Sequence, residues 1–251
     1  MTRVLAPLVT AVGLLALWQA VVLATGVPAY ILPPPSAVAN ILVTRYELLL
    51  HHAAVTGLEI VLGLVFGAAL GIVSALSLMS SSTARRWLLP VLVTSQALPV
   101  FALAPLLVLW LGYGIASKIG MAVLIIFFPV TAAFFDGLRR TEPGWLELAR
   151  SMDAGWGAVL FQIRLPAALP ALGSGLRVAA SVAPIGAVVG EWVGSSAGLG
   201  HLMLHANARM QIDVMFAALF TLAVMALALY FAVDRGVRLL VPWQSETLDH
   251  H

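Results

Sequence analysis

The sequence predicts an all-α membrane protein with six membrane-spanning helices, and three observations carry that reading. First, 61% of the 251 residues are hydrophobic and only 10% are charged, against about 25% charged in an average soluble domain. Second, the apolar residues gather in six runs, 4–25, 56–79, 87–110, 119–135, 167–190 and 214–231, each near the roughly 20 residues that cross a bilayer as a helix. Third, the cations divide by side. With connections alternating across the membrane, Arg3, Arg85, Arg86, Arg139, Arg140, Arg150, Arg164, Arg177, Arg235 and Arg238 fall on one side, and Arg45, Lys118 and Arg209 on the other. The basic side is cytoplasmic, which puts both termini in the cytoplasm. No linker or low-complexity tract interrupts the chain, so 1–251 reads as a single transmembrane domain.

Composition also excludes chemistry. With no cysteine there is no disulfide, no thiolate metal site and no cysteine nucleophile. The formal charge of +2 fits loops beside anionic lipid rather than a nucleic-acid partner.

The first run, 4–25, reads as a retained span, with a cleaved leader as the alternative, because it is longer than a leader's apolar core. Pro33-Pro34-Pro35 fixes an extended link, and Ser36 is a fair cap for the next helix. Residues 37–50 carry Arg45 and Glu47 and are expected to lie at the membrane interface, closed by His51-His52. The second span, 56–79, holds Gly57, Gly63, Gly67 and Gly71. A small-residue stripe of that kind lets helices approach closely in lipid. Glu59 reads as an interfacial carboxylate or a residue of the solute path.

The third span, 87–110, is interrupted by Pro90, Pro99 and Pro105 and carries Gln96. Proline frees backbone carbonyls, which is tolerated where a neighbour or a wet cavity satisfies them. Gln96, Pro99 and Pro105 are therefore candidates for lining the path, with a kinked packing helix as the other reading. The fifth span, 167–190, is rich in small residues and contains Pro184, another path candidate. Its composition suggests close packing, in one reading against a second copy of the chain. Glu191 follows at membrane depth, where ionisable groups usually face the interior or a water cavity. It is expected to shape the outer mouth of the path or to anchor a helix end.

The most polar island lies between the fourth and fifth runs, in a loop over about 137–166. Its core, 147–166, is ELARSMDAGWGAVLFQIRLP. Trp145, Leu148, Ala149 and Met152 form one apolar face at helical spacing. Asp153-Ala154-Gly155 interrupts it, and Trp156, Val159, Leu160 and Ile163 resume it until Pro166, which is expected to end the helix. Two short amphipathic helices joined at a turn make a knob that can enter a groove on a soluble partner.

No G-x-x-x-x-G-K-[ST] occurs, so the chain has no P-loop. Ser174 lies between glycines, but the histidines that could activate it cluster at the outer loops, on the opposite side of the membrane. His201 and His205 are four apart without the glutamate of H-E-x-x-H, a weak metal signal. An intramembrane enzyme and a secondary transporter are the remote alternatives; the second usually shows inverted repeats and ionisable midplane groups, and neither is evident.

The island resembles the EAA loop of ABC-importer permeases, with Glu147, Ala149, Ile163, Leu165 and Pro166 on the register of that motif. Leu148 replaces an alanine, and Asp153 stands where the family has glycine. Asp is one of the few residues that tolerate a left-handed turn, and Gly155 is expected to help form it. The likeness extends over nearly the whole chain. LPPPSAV, ALPVFALAPLLVLWLGYG and EWVGSSAGLG are similar to the taurine, sulfonate, nitrate and thiamine-precursor branch, and FFPVTAAFFDGLRRTEPGWLELAR is nearest the permeases for pyrimidine precursors of thiamine.

The resemblance implies a type I importer-like fold in a bacterial inner membrane. It implies a homodimer, a pair of ATPase subunits that bind ATP and magnesium, and an external substrate-binding protein, with no cofactor or metal in this chain. It also implies that Glu147, Ala149, Arg150, Asp153, Ala154, Gly155, Trp156, Ile163, Leu165 and Pro166 form the loop that docks on the ATPase.

Overall fold

The computed structural model describes residues 2–243, with side chains from residue 9 onward. The Arg3 side chain and the polar tail with His250-His251 lie outside that range. Among the described residues every regular element is a helix. In order these are α1 (Thr2–Thr25), α2 (Pro35–Thr44), α3 (Tyr46–Ser80), α4 (Ser82–Ala97), α5 (Val100–Leu111), α6 (Ile115–Arg139), α7 (Pro143–Ser151), α8 (Trp156–Ala158), a π-helical segment π1 (Val159–Arg164), α9 (Leu165–Gly194), α10 (Leu199–Ala208) and α11 (Ile212–Leu240).

Four continuous helices are long and apolar enough to cross a membrane: Tyr46–Ser80, Ile115–Arg139, Trp156–Gly194 and Ile212–Leu240. The α4–α5 pair passes the same test only when taken together, bent by 105°. With α1 these are the six apolar segments the sequence predicts.

Four local expectations are corrected. The interfacial helix ends at Thr44, and Tyr46 already begins α3, so His51 and His52 lie within that helix. No proline or glycine between Tyr46 and Thr56 stops it there. The cap of α2 is Pro34 rather than Ser36, with proline also at the first helical position, where its missing N–H costs nothing. The third span is not one kinked helix. Pro90 and Pro105 are accommodated inside α4 and α5, whereas Pro99 forces Leu98 to extended angles (φ −78°, ψ 128°) and the chain turns sharply.

Finally, Pro166 does not end its helix. α8, π1 and α9 run on without a break over 39 residues. The Leu165 N–H reaches back five residues to the Leu160 carbonyl. This wider turn accommodates a ring that would otherwise meet the carbonyl of residue 162 and offer it no N–H.

By internal contacts the chain falls into two compact units. The first comprises Met1–Thr56 and Ser196–Val224. Within it Trp18 packs on Phe216 at 5.6 Å between ring centroids, and Leu49, Ala53, Leu199, Met203 and Ala206 are buried.

The second unit comprises Gly57–Ser195 and Met225–His251. Its centre is the packing of α6 against α9. Small residues make that possible: a Cβ on Gly186 would stand 2.7 Å from the Ala122 Cα. Part of the small-residue surface of α9 is thus occupied by α6 of the same chain. The glycine stripe of α3 meets α6 in the same way, a Cβ on Gly71 falling 2.7 Å from the Phe127 carbonyl oxygen. Below these contacts Leu78, Leu92, Phe127, Phe134, Phe135, Leu138 and Leu160 form an apolar cluster that reaches π1. Arg164, at the end of π1, donates to the Leu138 carbonyl at 2.9 Å and so ties π1 to the last turn of α6.

Candidate functional site

The loop after α6 is built to present an apolar surface. Pro143 starts α7 with a preset φ, and the helix is nine residues long. Of the face predicted from Trp145, Leu148, Ala149 and Met152, only Ala149 is buried; Leu148 is 61% and Met152 74% exposed. Exposed tryptophan and leucine on one short helix, with the methionine that caps it, form a patch of the kind that marks an interaction site.

The turn that ends α7 is a Schellman motif. Asp153 has φ +55°, its N–H donates to the Arg150 carbonyl at 3.1 Å, and the Ala154 N–H donates to the Ala149 carbonyl at 2.9 Å. Asp153 therefore takes the left-handed conformation that glycine usually supplies. Gly155 plays no part in that left-handed turn, contrary to expectation. It is extended, at φ −64° and ψ 157°, and caps α8.

The chain then re-enters helix at Trp156, which is exposed, and passes through π1, where Leu160 is buried. Between α7 and this segment lies a cleft of about 480 Å³, lined by Leu148, Met152, Ile163, Pro166 and Ala167, with Trp243 from beyond α11. Glu147 and Arg150 are exposed on α7. The knob is thus one short helix packed beside the root of a long one, not two short helices.

The remaining predicted residues separate into two groups. Gln96, Pro99 and Pro105 are exposed around the α4–α5 bend. Pro184 and Glu191 are buried. Glu191, expected at an outer mouth, is 1% exposed and stands within hydrogen-bonding reach of Glu59, itself 1% exposed. Glu59 is buried in the protein, where its Oε1 accepts from Lys118 Nζ at 2.8 Å. Lys118, expected in an outer loop, instead lies on α6, buried.

Three helices thus contribute one ionisable group each, two carboxylates to one ammonium. The position of Lys118 was readable in one respect only. It is the single lysine of the chain, followed directly by the apolar run 119–135.

The family model for binding-protein-dependent transport system inner membrane components matches residues 67–246, which include the α6–α9 pair and the knob. The chain belongs to this family. It is a permease subunit, with ATP hydrolysis assigned to a separate subunit, and its apolar helices make it a multi-pass protein of the inner membrane.

A probable ABC transporter permease protein of Haemophilus influenzae is 59% identical over 232 residues, 92% of this chain and 95% of the relative. The formylaminopyrimidine transport permease protein ThiX of Halalkalibacterium halodurans is 34% identical, over 93% of each chain. The riboflavin transport system permease protein RibX of Chloroflexus aurantiacus is 39% identical, over 94% of this chain and 89% of the relative. Among solved structures, the MetNI methionine ABC transporter in an inward-facing conformation shares the permease fold, with a TM-score of 0.60 and 21% identity over 74% of this chain and 91% of the other.

Proposed function

We propose that this permease imports a pyrimidine precursor of thiamine, that it works as two copies with a pair of ATPase subunits and an external binding protein, and that α7 with the α8–π1 root is its EAA loop. The observation that carries the docking role is the exposed face of Leu148, Met152 and Trp145 beside the apolar cleft. A soluble ATPase that inserts an apolar side chain there converts its own closure into a pull on α9. On this reading Glu147, Ala149, Arg150, Asp153, Ala154, Gly155, Trp156, Ile163, Leu165 and Pro166 belong to one surface, facing the cytoplasm with both termini.

The chain has no native cysteine, so a cysteine introduced at Met152 is unique. It is expected to cross-link to the ATPase subunit in membranes. Failure to do so, while both subunits are present and active, overturns the docking role.

For the substrate, support comes from the named specificities of relatives at 34% and 39% identity, both for nitrogen heterocycles. The charge pattern agrees. Lys118 is the only buried cation among the described residues and is already engaged by Glu59, which leaves no unengaged buried cation to favour taurine, an alkanesulfonate or nitrate. Those anions are the second reading, with the same architecture. Calorimetry on the cognate binding protein separates the two: an aminopyrimidine is expected to bind and taurine not, and the reverse result replaces the substrate.

We propose that Gln96, Pro99 and Pro105, exposed at the α4–α5 bend, line the path, whereas Pro184 and Glu191, the other two candidates, are buried on α9.

A further inference from the structure

The start of α10 is capped by another helix. Gly198, at φ +116°, precedes the helix and has no side chain to offer. The backbone donors at this end are met instead from α3. The Gly198 N–H donates to His52 Nδ1 at 3.0 Å, and the Leu199 N–H donates to Thr56 Oγ1 at 2.7 Å. Thr56 in turn donates its hydroxyl to the His52 carbonyl at 3.2 Å. The two capping residues lie four apart on one face of α3.

An imidazole nitrogen accepts only when it carries no proton. The Gly198 bond therefore fixes the neutral ring with its hydrogen on Nε2. That tautomer also removes His52 as a metal ligand, since neither nitrogen is left with a free lone pair. Protonation of His52 would turn Nδ1 into a donor aimed at another donor. It would also place a positive charge at the positive end of the α10 dipole.

The titratable groups acting on His52 are His51 on its own helix and His201 on α10. His201 packs on His52 at 6.2 Å and on His205 at 4.2 Å between ring centroids. A second positive charge in this row would add repulsion across the α3–α10 contact.

We propose that His52 is a proton-operated cap, which holds the start of α10 to α3 when neutral and releases it when protonated. The attachment is fully present above the titration of His52 and is lost as pH falls through it. Thr56 does not titrate and keeps the Leu199 bond in both states, so release is local rather than global.

The test is amide hydrogen exchange on the full chain in lipid nanodiscs, followed on peptides that cover α10 and corrected for the intrinsic pH dependence of exchange. Readings at about pH 8 and about pH 5 bracket the ordinary histidine value of about 6.5. Exchange at the start of α10 is expected to quicken on the order of tenfold on acidification, with the lost bond and the unfavourable dipole acting together.

His52→Gln retains an acceptor that does not titrate and is expected to abolish the response while keeping protection. His52→Leu is expected to exchange at both pH values as fast as the acidified parent. His201→Gln is expected to leave the response in place. An unchanged rate across the pH range in the parent chain overturns the proposal, as does a response that His201→Gln removes and His52→Gln or His52→Leu does not.

Discussion

Lys118 on α6 reaches Glu59 on α3, 2.8 Å from nitrogen to oxygen, by laying its stem over Gly190 of α9. A Cβ on Gly190 would stand 3.0 Å from the Lys118 Cα and 3.4 Å from its Cγ. One missing side chain on α9 thus lets an ion pair form between two other helices, and Glu191 joins it from the next residue along. Removing the ammonium strands buried carboxylates. Lys118→Met is expected to cost about 3–5 kcal/mol of stability. Lys118→Met with Glu59→Gln should recover part of that, since one buried carboxylate, Glu191, is then left in place of two. Thermal unfolding in detergent measures both; losses that simply add would mean the pair contributes nothing as a pair.

The α7 turn makes a prediction against the pattern of its motif. Asp153 occupies a left-handed position that costs a non-glycine residue up to about 1–2 kcal/mol. Asp153→Gly should relieve part of this and leave ATPase attachment intact. Asp153→Val should destabilise the turn and weaken attachment. Gly155→Pro should be tolerated, because φ −64° at that position already matches the proline ring. Limited proteolysis of the loop, with co-purification of the ATPase, reads all three. Loss of attachment in the Gly155→Pro chain would show that the turn needs more than its angles.

How much of this was legible beforehand depends on the range of the signal. Composition and apolar run length gave the helical membrane class, because burial in lipid acts on every residue of a span. The knob was legible because its apolar spacing is local, and so was Asp153, through the few residues that accept a left-handed turn. What escaped was non-local. Glu59, Lys118 and Glu191 are far apart in sequence, and only the packing of α3, α6 and α9 brings them together. The His52 cap of Gly198 likewise joins residues 146 apart. Proline was the other source of error. Pro99 and Pro166 look alike in sequence, yet one follows a residue driven to extended angles and breaks a helix, whereas the other is absorbed by a π turn at Leu160–Leu165.

The exposed face of α7 should separate folding from docking. Leu148 and Met152 meet water in the lone chain, so replacing either with alanine should change the permease's own stability by no more than about 0.5 kcal/mol. If they anchor the ATPase, each replacement should weaken the complex by about 2 kcal/mol, near thirtyfold. Thermal unfolding of the permease and titration of the ATPase onto it in nanodiscs give the two numbers. Equal affinity in parent and variant chains would move the anchor elsewhere on the knob.

The π turn sets the angular position of everything before it, and this gives the sharpest test of coupling. Leu165 bonds to Leu160, five residues back, and an ordinary helix would bond four back. Pro166→Ala restores an N–H and removes the ring that opposes an α-helical bond to residue 162. The segment is then free to relax to α-helix, which would rotate Trp156 and the turn before it by about one residue's worth of helix, about 100°. Leu160 would be drawn out of the cluster with Phe134 and Leu138, so some stability should be lost, about 1–3 kcal/mol. Membrane insertion should be unchanged, since the apolar run is untouched. A cross-link from Met152 to the ATPase should fall sharply while the ATPase still folds and binds nucleotide. A full cross-link yield in Pro166→Ala would show that the knob holds its place without the π turn, and that Arg164, bonded to the Leu138 carbonyl, is enough to set it.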